Sequence, residues 1–268
     1  MINDYHIHTH FSSDCIVNPE EYVERAMRLG IKEICFTDHL DFDYPEINGE
    51  ELFRVDIDRY FKELTELKDK YADVIKIKIG IELGVNPSVY EQNHDFVTKY
   101  PFDFVIGSSH IVNGIDPYYP EYWENRPIDE GIMDYYEAIL KNVTFYNDYD
   151  VYGHLDYVRR YVKDKSYVYI DEKFYDITEM ILKNIISKGH GIELNTRGLQ
   201  EGFTPYIPTI VILERYKQLG GEIVTIGSDS HKLRNLGYGF KTAKDILINA
   251  GFKYYSSFEN RKPTFIPL

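Results

Sequence analysis

The chain has 268 residues, of which 43% are hydrophobic and 28% charged, and its formal net charge is −14. That length and apolar content can bury a large core and exclude a disordered chain, while the acidic excess weighs against binding to nucleic acid backbones. No apolar run approaches the roughly 18 residues that span a bilayer, no basic-then-apolar leader opens the chain, and two cysteines, Cys15 and Cys35, are too few for a disulfide framework; the expectation is a cytoplasmic protein with no membrane or nucleic acid partner.

The opening stretch, Asp4-Tyr-His-Ile-His-Thr9, reads as a short strand in which Tyr5 and Ile7 alternate with His6 and His8. Side chains two apart on a strand share a face, so two imidazoles stand side by side, a ready pair of metal ligands. Asn18-Pro-Glu-Glu then starts a helix, with Asn as cap, Pro at the first position and acids in the first turn; Gly30 ends it. Glu33-Ile-Cys-Phe-Thr-Asp-His39 is an apolar run that stops in polar residues, followed by an acidic loop from Asp41 to Glu51 and a helix marked by Ile57, Phe61, Leu64 and Leu67.

The same beat repeats. Strands are predicted over Lys76 to Glu82, Phe102 to His110, Tyr149 to His154, Gly191 to Asn195 and Glu222 to His231. Helices are predicted over Ile132 to Tyr146, Phe174 to Ser187, Ile210 to Leu219 and Thr242 to Ala250, and a Tyr- and Pro-rich loop covers Val112 to Asp129. The residues beyond Ala250 read as a tail. Strands alternating with helices imply parallel pairing. Closure into a ring best gathers residues drawn from the whole chain, so the expected fold is α/β, a seven-stranded variant of the (β/α) barrel forming one domain over residues 1–268, with chemistry at the C-terminal strand ends and an open doubly wound sheet as the competing fold.

The polar residues at those ends are His6, His8, Asp14, His39, Glu82, His110, His154, Asp229 and His231, and they take in six of the nine histidines; His10, His94 and His190 fall elsewhere. Packing alone gives no reason for histidines to follow apolar runs so regularly. Nine N/O ligands exceed the four or so of one zinc and suit three divalent ions if one carboxylate bridges two of them. A set of imidazoles and carboxylates without thiolate suits Zn, Mn or Fe; Cys15, next to Asp14, offers a soft donor as an alternative to it.

Asp4-Tyr-His-Ile-His-Thr, Thr37-Asp-His39, Gly80-Ile-Glu82, Ser109-His110, Gly153-His154 and Gly227-Ser-Asp-Ser-His231 resemble, in order, the successive motifs of the PHP (polymerase and histidinol phosphatase) family. The length and the segments Val158-Arg-Arg160 and Leu194-Asn-Thr-Arg197 resemble its histidinol-phosphate phosphatase branch. The resemblance implies a distorted (β/α)7 barrel, a trinuclear metal centre with zinc first in expectation, and hydrolysis of L-histidinol phosphate. It further implies one ion on His6, His8, Glu82 and Asp229, a second on Glu82, His110 and His154, and a third on Asp14, His39 and His231. Some relatives carry His where this chain has Asp14.

Granted the ions, a water bridging two of them becomes a nucleophile at neutral pH, and the ions neutralise phosphate oxygens. Asp14, Glu82 and Asp229 are then the carboxylates around that bridging water. Planar guanidinium groups suit bidentate grip on phosphate; Arg160 and Arg197 are the candidates, with Arg159 read as a solvated neighbour. The substrate's ammonium and imidazole call for anionic and flat partners, for which Asp41 to Glu46 and Tyr118 to Trp123 are the candidate loops. A nucleotide phosphatase or exonuclease, a protein-tyrosine phosphatase and a non-catalytic metal-binding scaffold are the competing readings. The His-rich opening makes a direct prediction: His8→Ala lowers both bound metal and activity, whereas His10→Ala leaves the metal count of the purified protein unchanged, as measured by elemental analysis.

Overall fold

A parallel strand covered on both faces must be apolar almost throughout. β3, Lys76–Gly84, meets that condition, being buried from Ile77 onward, and it organises the sheet. Along its first half it pairs in parallel with β1, Glu33–Phe36, along its second half with β2, His39–Leu40, and on its other side with β4, Phe104–Ser108. β4 continues to β5, Val151–Tyr152, then β6, Gly191–Asn195, then β7, Val224–Gly227, all in parallel. The structure, a computed structural model, describes residues 2–201 and 206–268.

The opening stretch closes the ring, though not as the regular strand expected. Asp4 bridges Ile34 beside β1 and Ile7 bridges Ser230 beyond β7. Its backbone divides its hydrogen bonds between the two neighbours: Cys35 N donates to the Asp4 carbonyl at 2.8 Å, while Tyr5 N donates to the Ile226 carbonyl at 3.0 Å. The stretch is therefore a wedge shared by two strands rather than a full partner of either. The second predicted strand likewise breaks, at Thr37 and Asp38, before resuming as β2.

The helices lie outside. α1, Pro19–Leu29, carries the anticipated Asn18 cap, completed by Glu21 into a capping box, and ends on left-handed Gly30. Then come α2 (Ile57–Lys70), α3 (Tyr90–Lys99), α4 (Ile128–Phe145), α5 (Tyr175–Ser187), α6 (Arg197–Glu201), α7 (Ile210–Gln218) and α8 (Phe240–Asn249). α3 was not foreseen because it has almost no apolar stripe; Asn93 and Val97 are its only buried residues. Among the described residues no helix is long and apolar enough to cross a membrane.

The predicted tail is instead an antiparallel hairpin, β8 (Tyr254–Glu259) and β9 (Lys262–Pro267), turning on Asn260 and Arg261, both at positive φ. It stoppers the N-terminal end of the barrel. Phe258 packs on Phe104 and Tyr5 in an interior cluster completed by Cys35, Ile106 and Val151. Tyr5 Oη accepts from the Phe258 amide at 2.8 Å, and Arg261 Nε reaches the buried Asp150 carboxylate at 2.6 Å. With one end filled, the opposite strand ends are free to carry polar groups.

Candidate metal centre

Polar side chains survive burial only when paired or held by ions. At the C-terminal end of the barrel Glu82 is buried on β3, with imidazoles facing each of its oxygens. His6 Nε2, His8 Nε2 and His39 Nδ1 lie 3.2, 3.4 and 3.0 Å from Oε2. His154 Nε2 and His110 Nε2 lie 2.9 and 3.3 Å from Oε1, which also accepts from Ser108 Oγ at 2.7 Å. The alternation read from the sequence does put His6 and His8 together, ring centroids 5.0 Å apart.

Asp229, at positive φ after β7, turns its Oδ1 to within 3.5 Å of His8 Nε2 and 3.3 Å of His231 Nδ1. Asp14 meets His231 Nε2 at 2.8 Å and His39 Nε2 at 4.0 Å. All nine candidate ligands thus converge. The groupings overlap more than expected, since His39 stands nearer Glu82 than Asp14, and His8, His39 and His231 form a close set of their own. Cys15 belongs to no such set among the described residues; its thiol points to the His8 and His231 carbonyls.

The charges show what the cluster is short of. Burial works against ionised Glu82, yet His6, His39 and His110 hold it well below the usual carboxylate range. Burial likewise opposes the charge on Asp229, and Arg197 and His6 overcome it. Burial disfavours protonated His6, but Glu193, Glu82 and Asp229 raise it well above an ordinary histidine; Asp41 and Glu82 do the same for His110 against the same penalty. His8 goes the other way, lowered by burial and by the positive charge of His231 and His39. Protein groups alone therefore leave imidazoles to supply the positive charge. His6 Nε2, His8 Nε2, His39 Nδ1 and Glu82 Oε2 are moreover buried without a hydrogen-bond partner. Orphaned imidazole nitrogens aimed at an orphaned carboxylate oxygen fit divalent cations, whose ligands are deprotonated nitrogen and oxygen.

A second ring of residues, missed in the sequence, orients the imidazoles. Glu193 Oε1 is 2.6 Å from His6 Nδ1 and its Oε2 accepts the His154 amide at 3.0 Å. Ser12 Oγ is 3.1 Å from His8 Nδ1 and donates to Asp38 at 2.7 Å. Asp41 Oδ1 is 2.6 Å from His110 Nδ1. Such carboxylate–imidazole pairs fix ring orientation and basicity. Asp41, expected in a substrate-reading loop, lines the cavity above the cluster and is buried with its Oδ1 engaged by His110. Of this ring only Glu193 had a visible signal, as a carboxylate within a predicted strand.

Above the cluster opens a cavity of about 340 Å³ lined by Asp14, Asp41, Tyr44, Asp116, Tyr118, Tyr119, Tyr157, Arg160, Tyr161 and Arg197 as well as by the cluster itself. Arg160 lies over the rings of Tyr157 and Tyr161. Arg197 sends Nη1 to Asp229 Oδ1 at 2.9 Å and His231 Nδ1 at 2.7 Å. Arg159 is not the solvated neighbour expected; it is half-buried and does not line the cavity, being paired with Asp156 and stacked on Tyr169. His10 faces outward toward Arg59 and Glu63, His94 pairs with Asp148 at the surface, and His190 packs on Tyr149. Trp123 bonds the Pro117 carbonyl and does not line the cavity.

A parallel barrel whose strand ends gather imidazoles and carboxylates beneath an arginine-bearing cavity defines a metal-dependent hydrolase of the phosphoester-cleaving kind. Residues 4–197 match the PHP domain family, and the chain belongs to it. It is 34% identical over 262 residues to a histidinol-phosphatase of Lactococcus lactis, covering 97% of this chain and 95% of the relative. A probable histidinol-phosphatase of Clostridium acetobutylicum is 35% identical, with 94% and 95% covered. The crystal structure of histidinol phosphate phosphatase from Lactococcus lactis, complexed with zinc, L-histidinol and phosphate, superposes with a TM-score of 0.90 at 33% identity, covering 98% of each chain.

If Glu193 acts through His6, Glu193→Gln keeps the fold and lowers metal affinity about 10–100-fold. Competition with a chromogenic chelator checks this, with far-ultraviolet circular dichroism as the control.

Proposed function

We propose that this chain is a cytoplasmic, single-domain phosphomonoesterase that hydrolyses L-histidinol phosphate, with water, to L-histidinol and inorganic phosphate, as a step in histidine biosynthesis. The observation that carries the reading is the two-faced Glu82, whose oxygens address separate groups of imidazoles directly below a cavity bearing Arg160 and Arg197. The names and bound ligands of the relatives support the choice of substrate.

His6, His8, Glu82 and Asp229 would hold one ion, Glu82, His110 and His154 a second, and Asp14, His39 and His231 a third, with zinc ahead of manganese or iron. When bound, the ions supply a nucleophile at neutral pH and electrostatic relief for the phosphate. Around them the protein has three tasks. Asp14, Glu82 and Asp229 place negative charge where the ions must sit and so fix the floor of the site. Arg160, steadied by Tyr157 and Tyr161, offers its planar fork to the phosphate from the cavity wall. Arg197 spans Asp229 and the cavity, so it both braces a ligand and meets a phosphate oxygen. The pocket rim reads the rest of the substrate: the Asp116 carboxylate, fixed by Tyr44 Oη at 3.1 Å and the Tyr118 amide at 2.8 Å, suits an ammonium, and the rings of Tyr118, Tyr119 and Tyr161 suit an imidazole.

Phosphate release from histidinol phosphate, nucleoside monophosphates, a phosphotyrosine peptide and an oligonucleotide, each with and without chelator, tests the proposal. Histidinol phosphate is expected to be hydrolysed fastest and only without chelator; a faster nucleotide or phosphopeptide would overturn it. The two arginines should separate. Arg160→Ala raises KM with metal content intact, whereas Arg197→Ala lowers kcat/KM by about ten-fold or more, the loss of a charge-assisted bond worth about 1.5–3 kcal/mol. Unchanged kinetics in either variant would remove that residue from the site.

A further inference from the structure

A second cavity, of about 540 Å³, lies between α1 and the segment from Arg234 to Lys244. Its floor is apolar, made by Ile2, Leu29, Leu236 and Phe240, and its walls carry four cations: Arg25 from α1, Arg234, and Lys241 and Lys244 from α8. Among the described residues no aspartate or glutamate lines it. In a chain with 44 acidic and 30 basic residues, cations ordinarily find carboxylates. Other surface cations here do so, as Arg215 with Glu179 and Lys70 with Glu20. Arg25, Arg234, Lys241 and Lys244 have no carboxylate within 4.0 Å among the described residues, and Arg25 Nε is buried with no acceptor. α8 starts at the same place after Gly239, with no side-chain cap, and its N-terminal partial positive charge adds to theirs.

Four like charges gathered around a hollow repel one another, and one is partly desolvated as well. That arrangement costs stability unless an anion completes it. The volume is that of a small-molecule pocket, and the apolar floor calls for an uncharged body behind the charged group.

We propose that this cavity binds a small organic anion, a phosphate, sulfonate or carboxylate carried on an apolar or aromatic body, independently of the metal centre. The cationic walls take the anionic group and the Leu29, Leu236 and Phe240 surface takes the body.

8-Anilinonaphthalene-1-sulfonate has this chemistry and serves as the probe. The metal-loaded protein is titrated by fluorescence with inorganic phosphate saturating the metal cavity. The expected result is one saturable site per chain, weakened about ten-fold or more in Arg25→Glu/Lys244→Glu, as for loss of charge-assisted contacts, and retained in Arg25→Lys/Lys244→Arg. The exposed-residue variant Lys241→Glu, which asks least of the fold, should weaken binding in the same direction. Phosphatase activity stays unchanged in all three and reports folding. No saturable binding by the wild-type protein, binding indifferent to charge reversal, or loss of probe binding in Arg160→Ala/Arg197→Ala, which would place the probe in the metal cavity, would each overturn the proposal.

Discussion

A buried carboxylate facing five imidazoles is the constraint on which this molecule turns. Glu82 lies in the middle of the sheet, where an ionised group without partners would cost several kcal/mol. Its two oxygens are turned to different sets, His6, His8 and His39 on one side and His110 and His154 on the other. Four of these oxygen and nitrogen atoms remain orphaned despite the crowding, which is the signature of a site shaped around cations rather than around itself.

The fold delivers those groups because a parallel ring points all its strand ends one way. β3 brings Glu82, β2 brings His39, and the turns after β4, β5 and β7 bring His110, His154 and Asp229 with His231. The opening stretch does most, since it is wedged between two strands and carries two histidines into the centre. Asp4 holds that wedge in place. Buried and raised to about 6 by desolvation, it accepts amides from Ser228, Gly237 and its neighbour His6, tying the first residues to the last strand of the ring. At the other end, the hairpin fills the barrel interior with Phe258, packed on Tyr5 and Phe104.

Much of this was legible because an apolar run that ends abruptly in histidine is a rare pattern, repeated here at known intervals. Four of the runs end in histidine, another ends in Glu82, and their alternation with helices gives the parallel arrangement that brings the polar ends together. What could not be read has identifiable causes. Glu193, Asp41 and Ser12 act on the imidazoles from behind; Glu193 stands out only as a carboxylate inside a strand, and nothing local distinguishes Asp41 or Ser12 from the many other carboxylates and hydroxyls in the chain. α3 buries too few side chains to show a stripe, and β9 is exposed along nearly its whole length with two prolines, so it lacks the contrast by which a strand is recognised. Arg159 and Arg160 are adjacent and chemically identical. Only the short 3₁₀ turn Tyr157–Tyr161 decides that one goes to buried Asp156 and the other to the cavity.

The acidic balance of the chain bears directly on how such a cavity takes an anion. Asp14, Asp41, Glu82, Asp116 and Asp229 all line it, against Arg160 and Arg197. Counting carboxylates and guanidinium groups, and with the imidazoles neutral as metal ligands must be, a phosphate dianion meets repulsion there. Divalent cations held by these residues would reverse the sign, so occupancy by metal and affinity for phosphate are two faces of one electrostatic condition. The rim is outside that reversal. Asp116 stands with Tyr44 and Tyr118 rather than in any group of metal-holding atoms, so it keeps its negative character while the floor turns positive. The proposed substrate has the matching polarity, a phosphate at one end and an ammonium at the other. A loaded site of this form would select against phosphomonoesters that lack the cationic end through the rim, and against every phosphate through the floor when the metals are removed.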